Sequence, residues 1–234
     1  MRATNWEFRN RALIFGLIFA FAFPLYAVDP QNVTAALAAR LSIQFGWDAD
    51  LLARLLFFCA ACLLIVAASI RTWASAYLQA GVVYAADVKT ESLVAGGPYR
   101  FVRNPLYLAN MLMAVSMASM MSRIGCAVAV VAMLVFCYRL ILREESELRT
   151  SQGDVYERYR ELVPRLWPLL RPRIPAEGRR PKWGAGFTAE FWYWGFALAV
   201  TAFAITLKLN VFFVILGASI LLFWVSSRLL LRDR

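Results

Sequence analysis

The sequence predicts an all-α, polytopic membrane protein with about six transmembrane helices. Of its 234 residues, 61% are hydrophobic and 17% are charged, whereas a soluble domain has roughly half apolar and about a quarter charged residues. A helix needs about 20 apolar residues to cross a hydrocarbon core of about 30 Å, and several apolar runs in the chain approach this length. The 25 Lys and Arg residues exceed the 15 Asp and Glu residues, for a net charge of +10. In a membrane protein such an excess usually marks cytoplasmic loops.

Six apolar runs account for the predicted spans. They are residues 12–28, 51–70, 105–121, 125–142, 191–207 and 211–231. The first run has the alternative of a signal peptide, since Leu25-Tyr26-Ala27 weakly resembles a cleavage site, but its length exceeds the usual range and favours a retained helix. The third and fourth runs are separated only by a tight turn at Ser122-Arg123, which predicts a helical hairpin.

The distribution of basic residues predicts the orientation of the spans. Three arginines precede the first run, whereas residues 29–50 contain three aspartates against Arg40 alone. The positive-inside rule therefore predicts that the amino terminus is cytoplasmic. With six spans, residues 71–103 and 143–182 and the carboxy terminus also face the cytoplasm, so the chain is expected to be an integral, multi-pass membrane protein with both termini inside.

The segment 165–182 is expected to be irregular. It interleaves six basic residues with prolines, and proline interrupts a helix. We interpret it as a cytoplasmic strap held to anionic lipid headgroups. Membrane lipids are favoured over nucleic acid as the partner, because bases need aromatic platforms spread over a groove.

The residue types that are absent restrict the chemistry. With no histidine, the chain cannot use Ser-His-Asp or Cys-His catalysis or a histidine zinc site, and we predict no metal centre. Each of the four cysteines lies in an apolar run, where cysteine is an ordinary small hydrophobic residue. A catalytic activity would therefore use carboxylates, guanidinium groups or a cofactor.

Two local patterns are candidates for a site. The first is the segment 93–107, LVAGGPYRFVRNPLY, in which Arg103 precedes Pro105 at the expected start of a helix. A helix amino terminus exposes unpaired N–H groups and suits an anion. Composition alone leaves a second interpretation open, in which this is a membrane-entry loop with snorkelling arginines and interfacial tyrosines.

The second pattern is the carboxylate pair Glu144 and Glu145, which follows the fourth run. Acids at a helix carboxy terminus face the negative end of its dipole and need positive partners. Arg143 and Arg149 are expected to supply part of that charge. Because the third and fourth runs form a hairpin, the pair should also lie beside Arg103. The expected ligand carries a carboxylate, an ammonium group and a further positive charge.

Together these patterns resemble a known superfamily. The chain contains L-V-x-x-G-P-Y-R-x-V-R-N-P-x-Y, then R-E-E-x-x-L, then G-x-x-Y-x-x-Y-x-x-x-V-P, between about residues 93 and 168. This order resembles the isoprenylcysteine carboxyl methyltransferase and phospholipid methyltransferase superfamily of integral membrane enzymes. The resemblance implies S-adenosyl-L-methionine as the cofactor, bound at the cytoplasmic face. It divides the chain into N-terminal transmembrane helices (1–88), a methyltransferase core (89–185) and two additional C-terminal helices (186–234).

The resemblance also implies which residues act. The cofactor-binding residues would be Val94, Gly97, Tyr99, Arg103, Asn104, Pro105, Tyr107, Glu144 and Glu145, with Arg103 and Glu145 also catalytic. Asn104 stands where the superfamily usually has histidine, which excludes a proton shuttle at that position. Leu162 stands where the prenylcysteine enzymes have a basic residue that serves the substrate carboxylate. Arg160 and Arg165 are therefore the candidates for binding substrate.

The expected function is methyl transfer to a lipophilic small molecule or lipid, with carboxyl O-methylation of an isoprenylcysteine-like or other lipid substrate favoured. One alternative is a phospholipid N-methyltransferase. A second is an NADPH-dependent sterol or enone reductase, although Leu106 stands where those enzymes usually have asparagine. A third is a non-catalytic membrane scaffold. The C-terminal helices are candidates for contacts in a homo-oligomer.

Overall fold

The computed structural model describes residues 2–78, 95–175 and 180–232. In these residues the regular structure is helical, and the only extended pairing is an isolated bridge between Asn32 and Ser122. The all-α prediction is confirmed. The helices are α1 (Asn5–Arg9), α2 (Arg11–Ala22), α3 (Val33–Phe45), α4 (Ala49–Tyr77), α5 (Pro105–Ala118), α6 (Arg123–Gln152), α7 (Asp154–Leu162), α8 (Trp183–Ala189), α9 (Phe191–Thr206) and α10 (Leu209–Arg232), with 3₁₀ turns at Phe23–Ala27 and Gly97–Arg100.

Two helices in the described part of the chain are long and apolar enough to cross a membrane, as judged by length and composition. They are α4, with 29 residues, and α6, with 30 residues. Five shorter apolar helical stretches accompany them: Arg11–Ala27, Val33–Phe45, Pro105–Ala118, Phe191–Thr206 and Leu209–Leu222. These helices support a membrane protein, while the count of six spans stays a prediction.

Helix α3 lies inside residues 29–50, for which the sequence predicts no helix. Its ends carry standard signals: the Asn32 side chain accepts a hydrogen bond from the Ala35 N–H at 2.9 Å, and Gly46 ends the helix with φ of 71°. Ala38 is buried against Leu52 and Ala53 at the start of α4. At 13 residues the helix is too short to be recognised as a span.

The predicted hairpin is confirmed, because α5 and α6 pack together and are joined by the four residues 119–122. The turn is held by the preceding part of the chain. The Tyr26 hydroxyl donates to the Met120 carbonyl at 2.8 Å, and the Asn32 amide donates to the Ser119 and Met121 carbonyls at 3.1 Å each. These bonds satisfy the backbone carbonyls of the turn that follows α5. We call this end of the molecule the capped end and the opposite end, where α5 begins, the site end.

Helix α4 forms the centre of the fold. It packs against α3, α5, α8 and α9, and the buried Phe57 and Leu64 lie in its core face. The ring of Phe203 on α9 meets the Phe57 ring edge-on at 4.8 Å between centroids. Near the capped end the Arg54 guanidinium donates to the Ile205 carbonyl at 2.5 Å. Helix α9 is therefore part of the same core as the central helices.

The proline-rich segment is irregular as predicted, since neither residues 163–175 nor residues 180–182 are helical. Its backbone nevertheless has fixed partners. The Arg103 N–H donates to the Pro164 carbonyl at 2.9 Å, and the Leu169 N–H donates to the Phe101 carbonyl at 2.9 Å. This part of the chain thus lies against the approach to α5.

Candidate functional site

At the site end, three polar side chains converge on one carboxylate. Glu145 Oε2 accepts two hydrogen bonds from Arg165, at 3.0 Å from Nε and 2.8 Å from Nη2. Its Oε1 accepts one from the Asn104 amide at 3.2 Å and lies 3.4 Å from Arg103 Nη2. The Glu145 side chain is only 6% exposed. We call Arg103, Asn104, Glu145 and Arg165 the Glu145 cluster.

Three separate elements build this cluster. Pro105 occupies the first turn of α5, where its missing N–H has no consequence, and it places Arg103 and Asn104 directly before the helix. The last turns of α6 supply Glu145 through the hairpin. The strap supplies Arg165, whose carbonyl also accepts a hydrogen bond from the Asn104 amide at 3.1 Å. The convergence therefore depends on the hairpin and on the path of the strap.

The Glu145 cluster contains more positive than negative charge. Glu145 raises the pKa of the Arg165 guanidinium by accepting its hydrogen bonds. The Arg103 side chain is 8% exposed, and its Nε and Nη1 atoms are buried without a hydrogen-bond partner in the described residues. An unsatisfied buried donor costs about 1–3 kcal/mol, and more when it is charged. These buried N–H groups can donate charge-assisted hydrogen bonds to an anionic ligand such as a carboxylate.

The neighbouring carboxylate has a different environment. Glu144 Oε1 accepts a hydrogen bond from the Tyr107 hydroxyl at 2.6 Å. No ion pair involves Glu144 within the part of the chain that the structure describes. The two glutamates thus have different partners: Glu145 is bound by arginines, and Glu144 is bound by a phenol. Among the two glutamates, Glu144 is therefore the one without a basic partner in the described residues.

The Gly-Gly-Pro turn is shaped by its protein neighbours. Gly97 has φ of 55°, and a Cβ at this position would lie 2.5 Å from the ring of Tyr77. The close approach that glycine permits here is therefore to Tyr77. The Tyr99 carbonyl accepts a hydrogen bond from the Tyr159 hydroxyl at 2.7 Å. Burial raises the pKa of Tyr99 well above 10, so its phenol is neutral. Val94 lies outside the described residues.

Three arginines form ion pairs outside the Glu145 cluster. Arg143 binds Glu147 one turn further along α6, at 2.8 Å, and Arg149 binds Glu157 on α7 at 2.5 Å. Neither forms the expected ion pair with Glu144 or Glu145, because nearer acids hold them. Arg160 pairs with Glu157 at 3.0 Å. Of the two arginines predicted to bind substrate, only Arg165 is joined to the Glu145 cluster by contacts in the described residues.

A second group of polar side chains, which no local sequence pattern predicts, lies in the helical core. Arg71 on α4 forms a buried ion pair with Glu190, the residue before α9, and donates to the Asn110 side chain on α5 at 2.6 Å. The Ser75 hydroxyl donates to Glu190 at 2.5 Å, and the Tyr193 hydroxyl also binds Asn110. We call these five residues the Arg71–Glu190 network. Asn110 follows Tyr107 by three residues on α5, so both side chains lie on one helix face.

The amino-terminal segment is also part of this end of the molecule. The Ala3 N–H donates to the Arg139 carbonyl at 3.1 Å, and Glu7 forms an ion pair with Arg139 at 2.8 Å. Phe8 is buried, and the guanidinium of Arg143 lies 4.8 Å from its ring centroid. The sequence signal is the capping box of Thr4 and Glu7, which starts α1.

The fold and the site define a class of protein: an all-helical membrane protein with buried arginine and glutamate side chains at one end of a helical hairpin. Residues 55–153 match the model of the phospholipid methyltransferase family. These residues run from α4 to the end of α6 and include both glutamates. The match confirms the resemblance to the isoprenylcysteine and phospholipid methyltransferase superfamily.

Two curated proteins are similar over 138 residues. One is the cobalt-zinc-cadmium resistance protein CzcN of Cupriavidus metallidurans, 25% identical over 59% of this chain and 61% of its own length. The other is the nickel-cobalt-cadmium resistance protein NccN of Alcaligenes xylosoxydans xylosoxydans, 24% identical over 59% of this chain and 62% of its own length. The matching region thus spans about three fifths of each relative. No solved structure gives a significant match.

Proposed function

We propose that this protein is a membrane methyltransferase that uses S-adenosyl-L-methionine and acts on a lipophilic acceptor. The observation that carries the proposal is Arg103, which lies beside the Glu145 carboxylate and has two buried N–H groups without a partner in the described residues. S-adenosyl-L-methionine has a carboxylate, an ammonium group and a positively charged sulfonium, and when bound it supplies the methyl group. The donors and acceptors of the site match these three charges in kind.

Each residue of the site has a proposed role. The unpaired N–H groups of Arg103 take the carboxylate of the cofactor, and Glu144 takes its ammonium group. Tyr107 orients Glu144 through the hydrogen bond of 2.6 Å that its hydroxyl donates. Asn104 and Arg165 hold Glu145 in place, so that its charge faces the site. Gly97, Tyr99 and Pro105 shape the wall on the approach to α5, and Val94 is carried over from the family pattern alone.

The proposed chemistry needs alignment more than acid–base catalysis. Methyl transfer is an in-line displacement, and positioning of the reactants alone contributes up to about 7–11 kcal/mol. A carboxylate acceptor is already a nucleophile and needs no general base. Carboxyl O-methylation of an isoprenylcysteine-like or other lipid therefore suits a chain without histidine. Arg165, at the mouth of the site and 32% exposed, is the candidate contact for the acceptor carboxylate.

Methylation of a phospholipid amine is a second candidate. The family match favours it. So does Glu144, because a carboxylate with no ion pair in the described residues can accept the proton that a protonated amine must lose. The two candidates differ in their products, since one gives a base-labile ester and the other a methylated amine.

Isothermal titration calorimetry of the purified, detergent-solubilised protein with S-adenosyl-L-methionine tests the proposal. We expect saturable binding that Arg103→Ala weakens at least about tenfold, because a charge-assisted hydrogen bond contributes about 1.5–3 kcal/mol. Arg149→Ala is the matched control. It removes an arginine from the same end of the molecule, where Arg149 pairs with Glu157 outside the Glu145 cluster, and should leave the affinity unchanged.

The alternatives give different results in the same assay. Absence of saturable binding to S-adenosyl-L-methionine would refute the proposal, and saturable binding of NADPH instead would support the reductase. Unchanged function in both Arg103→Ala and Glu144→Gln would support a non-catalytic scaffold. Incubation with a methyl-labelled cofactor and a total lipid extract, followed by mass spectrometry, distinguishes an ester product from a methylated amine.

A further inference from the structure

Residues 163–175, which contain the first described part of the strap, present two large apolar side chains to the outside. Trp167 is 86% exposed and Leu170 is 99% exposed. The backbone around them is fixed: Leu169 donates to the Phe101 carbonyl at 2.9 Å, and the Arg100 guanidinium donates to the Ile174 carbonyl at 2.9 Å and 3.1 Å. The exposure is therefore imposed by the fold.

In residues 163–175 the charged side chains are all basic. This part of the chain contains three arginines and no acidic residue. Arg165 is held by Glu145, whereas Arg171 and Arg173 are exposed and form no ion pair in the described residues. Two unpaired guanidinium groups thus lie next to two exposed apolar side chains. Guanidinium groups bind phosphate well, and anionic membrane surfaces attract such basic segments.

The position of the strap agrees with the membrane interface. Its partner Phe101 lies 5.7 Å from Trp73, ring centroid to ring centroid, in the last turns of α4. Tryptophan concentrates at the level of lipid headgroups, where one edge of the ring is wet and the other is apolar. Trp183 and Phe187 on the following helix α8 are 48% and 50% exposed. Aromatic side chains therefore continue along this end of the molecule.

We propose that the strap docks on the anionic headgroups of the membrane at the site end, with Trp167 and Leu170 inserted among the lipids and Arg171 and Arg173 bound to lipid phosphates. A nucleic acid would use the arginines but would leave Leu170 without a function. The docking is independent of methyl transfer, so its test does not depend on the proposed function.

Lipid-quenching fluorescence tests the docking. The full-length protein is reconstituted in nanodiscs of phosphatidylcholine alone or with phosphatidylglycerol, with the lipids brominated near the headgroup. Because the chain has eight tryptophans, the signal of Trp167 is taken as the difference between wild type and Trp167→Phe. We expect brominated lipid to quench this difference signal, more strongly with phosphatidylglycerol. The charge reversals Arg171→Glu and Arg173→Glu should abolish that increase.

Trp47 is the matched control. It is 60% exposed but lies before α4 at the capped end, so the reversals should leave its quenching unchanged. High salt should reduce the phosphatidylglycerol effect at Trp167, because salt screens exposed charges. The proposal is overturned if Trp167 is quenched by aqueous iodide but not by brominated lipid, or if an oligonucleotide shields it and anionic lipid does not.

Discussion

At the scale of single residues, Gly97 combines a left-handed backbone with a tight contact. Its φ is 55°, and an added Cβ would lie 2.5 Å from the Tyr77 ring. Gly153 has nearly the same φ, 53°, but open space around it. Both Gly97→Ala and Gly153→Ala should incur the conformational cost, of order 1–3 kcal/mol. Gly97→Ala should lower the melting temperature further, because its methyl group must displace Tyr77.

Thermal unfolding of the two detergent-solubilised variants measures this difference. The Gly153 variant reports the backbone cost alone, and the excess for Gly97 reports the contact with Tyr77. Equal decreases in melting temperature would show that the ring yields without cost. In that case the contact would not explain why glycine is needed at this position.

The two glutamates should separate into a stability role and a binding role. Glu145 is the counter-charge that Arg103 and Arg165 share, whereas Glu144 is bonded to the Tyr107 hydroxyl. Glu145→Gln leaves buried guanidinium groups without a counter-charge and should lower stability by about 1–3 kcal/mol. Glu144→Gln should keep the melting temperature near that of wild type and weaken cofactor binding. Calorimetry and thermal unfolding on both variants test this, and equal loss of stability would contradict it.

At the scale of helices, the sequence predicts the features that residues close together in the chain determine. The hairpin follows from the short turn at Ser122, and the irregular strap follows from its prolines. Helix α3 is missed as a helix because its length is below that of a span, although its signals at Asn32 and Gly46 are present. Arg71 and Glu190 are missed for another reason. They lie 119 positions apart, and no local pattern pairs residues at that separation.

The same distinction applies to the site. The hairpin alone brings the residues before α5 beside the end of α6, so the meeting of Arg103, Asn104 and Glu145 follows from the sequence. Which further arginine joins them depends on the path of the strap. Arg165 takes the place that Arg143 and Arg149 were expected to fill. That path is set by hydrogen bonds to the Phe101 and Arg103 backbone, which the sequence does not reveal.

Removing one partner of the Arg71–Glu190 ion pair should destabilise the protein strongly, whereas replacing both partners by apolar residues should change its stability little. Its side chains are 6% and 0% exposed. Removing one partner of a buried pair leaves an uncompensated charge and costs about 3–5 kcal/mol, whereas an apolar replacement of both is often neutral. We expect Arg71→Met and Glu190→Leu each to destabilise the protein strongly and the double variant to recover most of the loss.

Denaturant unfolding of the four proteins in a double-mutant cycle measures the coupling. Thr201→Ala is a control on α9, because the Thr201 hydroxyl bonds only within its own helix, to the Ala197 carbonyl at 2.7 Å. Additive losses in the double variant would show that Arg71 and Glu190 do not stabilise one another.

The capped end should show a pH-dependent contribution from Asp29. Arg123 lowers the pKa of Asp29 by hydrogen bonding, at 3.0 Å and 3.1 Å, and the Gln31 and Ile124 N–H groups add to the effect. A lowered pKa in the folded state means that the stabilisation is complete above the unfolded value of 3.8. It is lost as the pH falls through the folded pKa.

The difference in melting temperature between wild type and Asp29→Asn should therefore be constant above about pH 5 and shrink under more acidic conditions. In an Arg123→Gln background, both the difference and its pH dependence should become smaller, because the main cause of the pKa shift is absent. A difference that stays constant down to pH values below 3.8 would contradict the assignment.

At the scale of the whole molecule, the carboxy-terminal helices belong to the core that carries the site. They lie beyond the matched residues 55–153, yet α9 packs on α4 and its first turns enter the Arg71–Glu190 network. Asn110 links that network to the face of α5 that carries Tyr107. The additional helices thus support the same helix face that presents the site.

The distribution of basic residues bears on the orientation of the molecule in its membrane. The site end contains the amino-terminal arginines and the strap, and the positive-inside rule predicts that this end is cytoplasmic. Arg160 on α7 and Arg40 on α3 are both exposed and lie at opposite ends of the molecule. In a parent protein with its four cysteines replaced by serine, Arg40→Cys should react with a membrane-impermeant maleimide in intact cells. Arg160→Cys should react only after permeabilisation, because the membrane shields the cytoplasmic end. The reverse pattern would place the site, and the entry of its polar ligand, on the outer face.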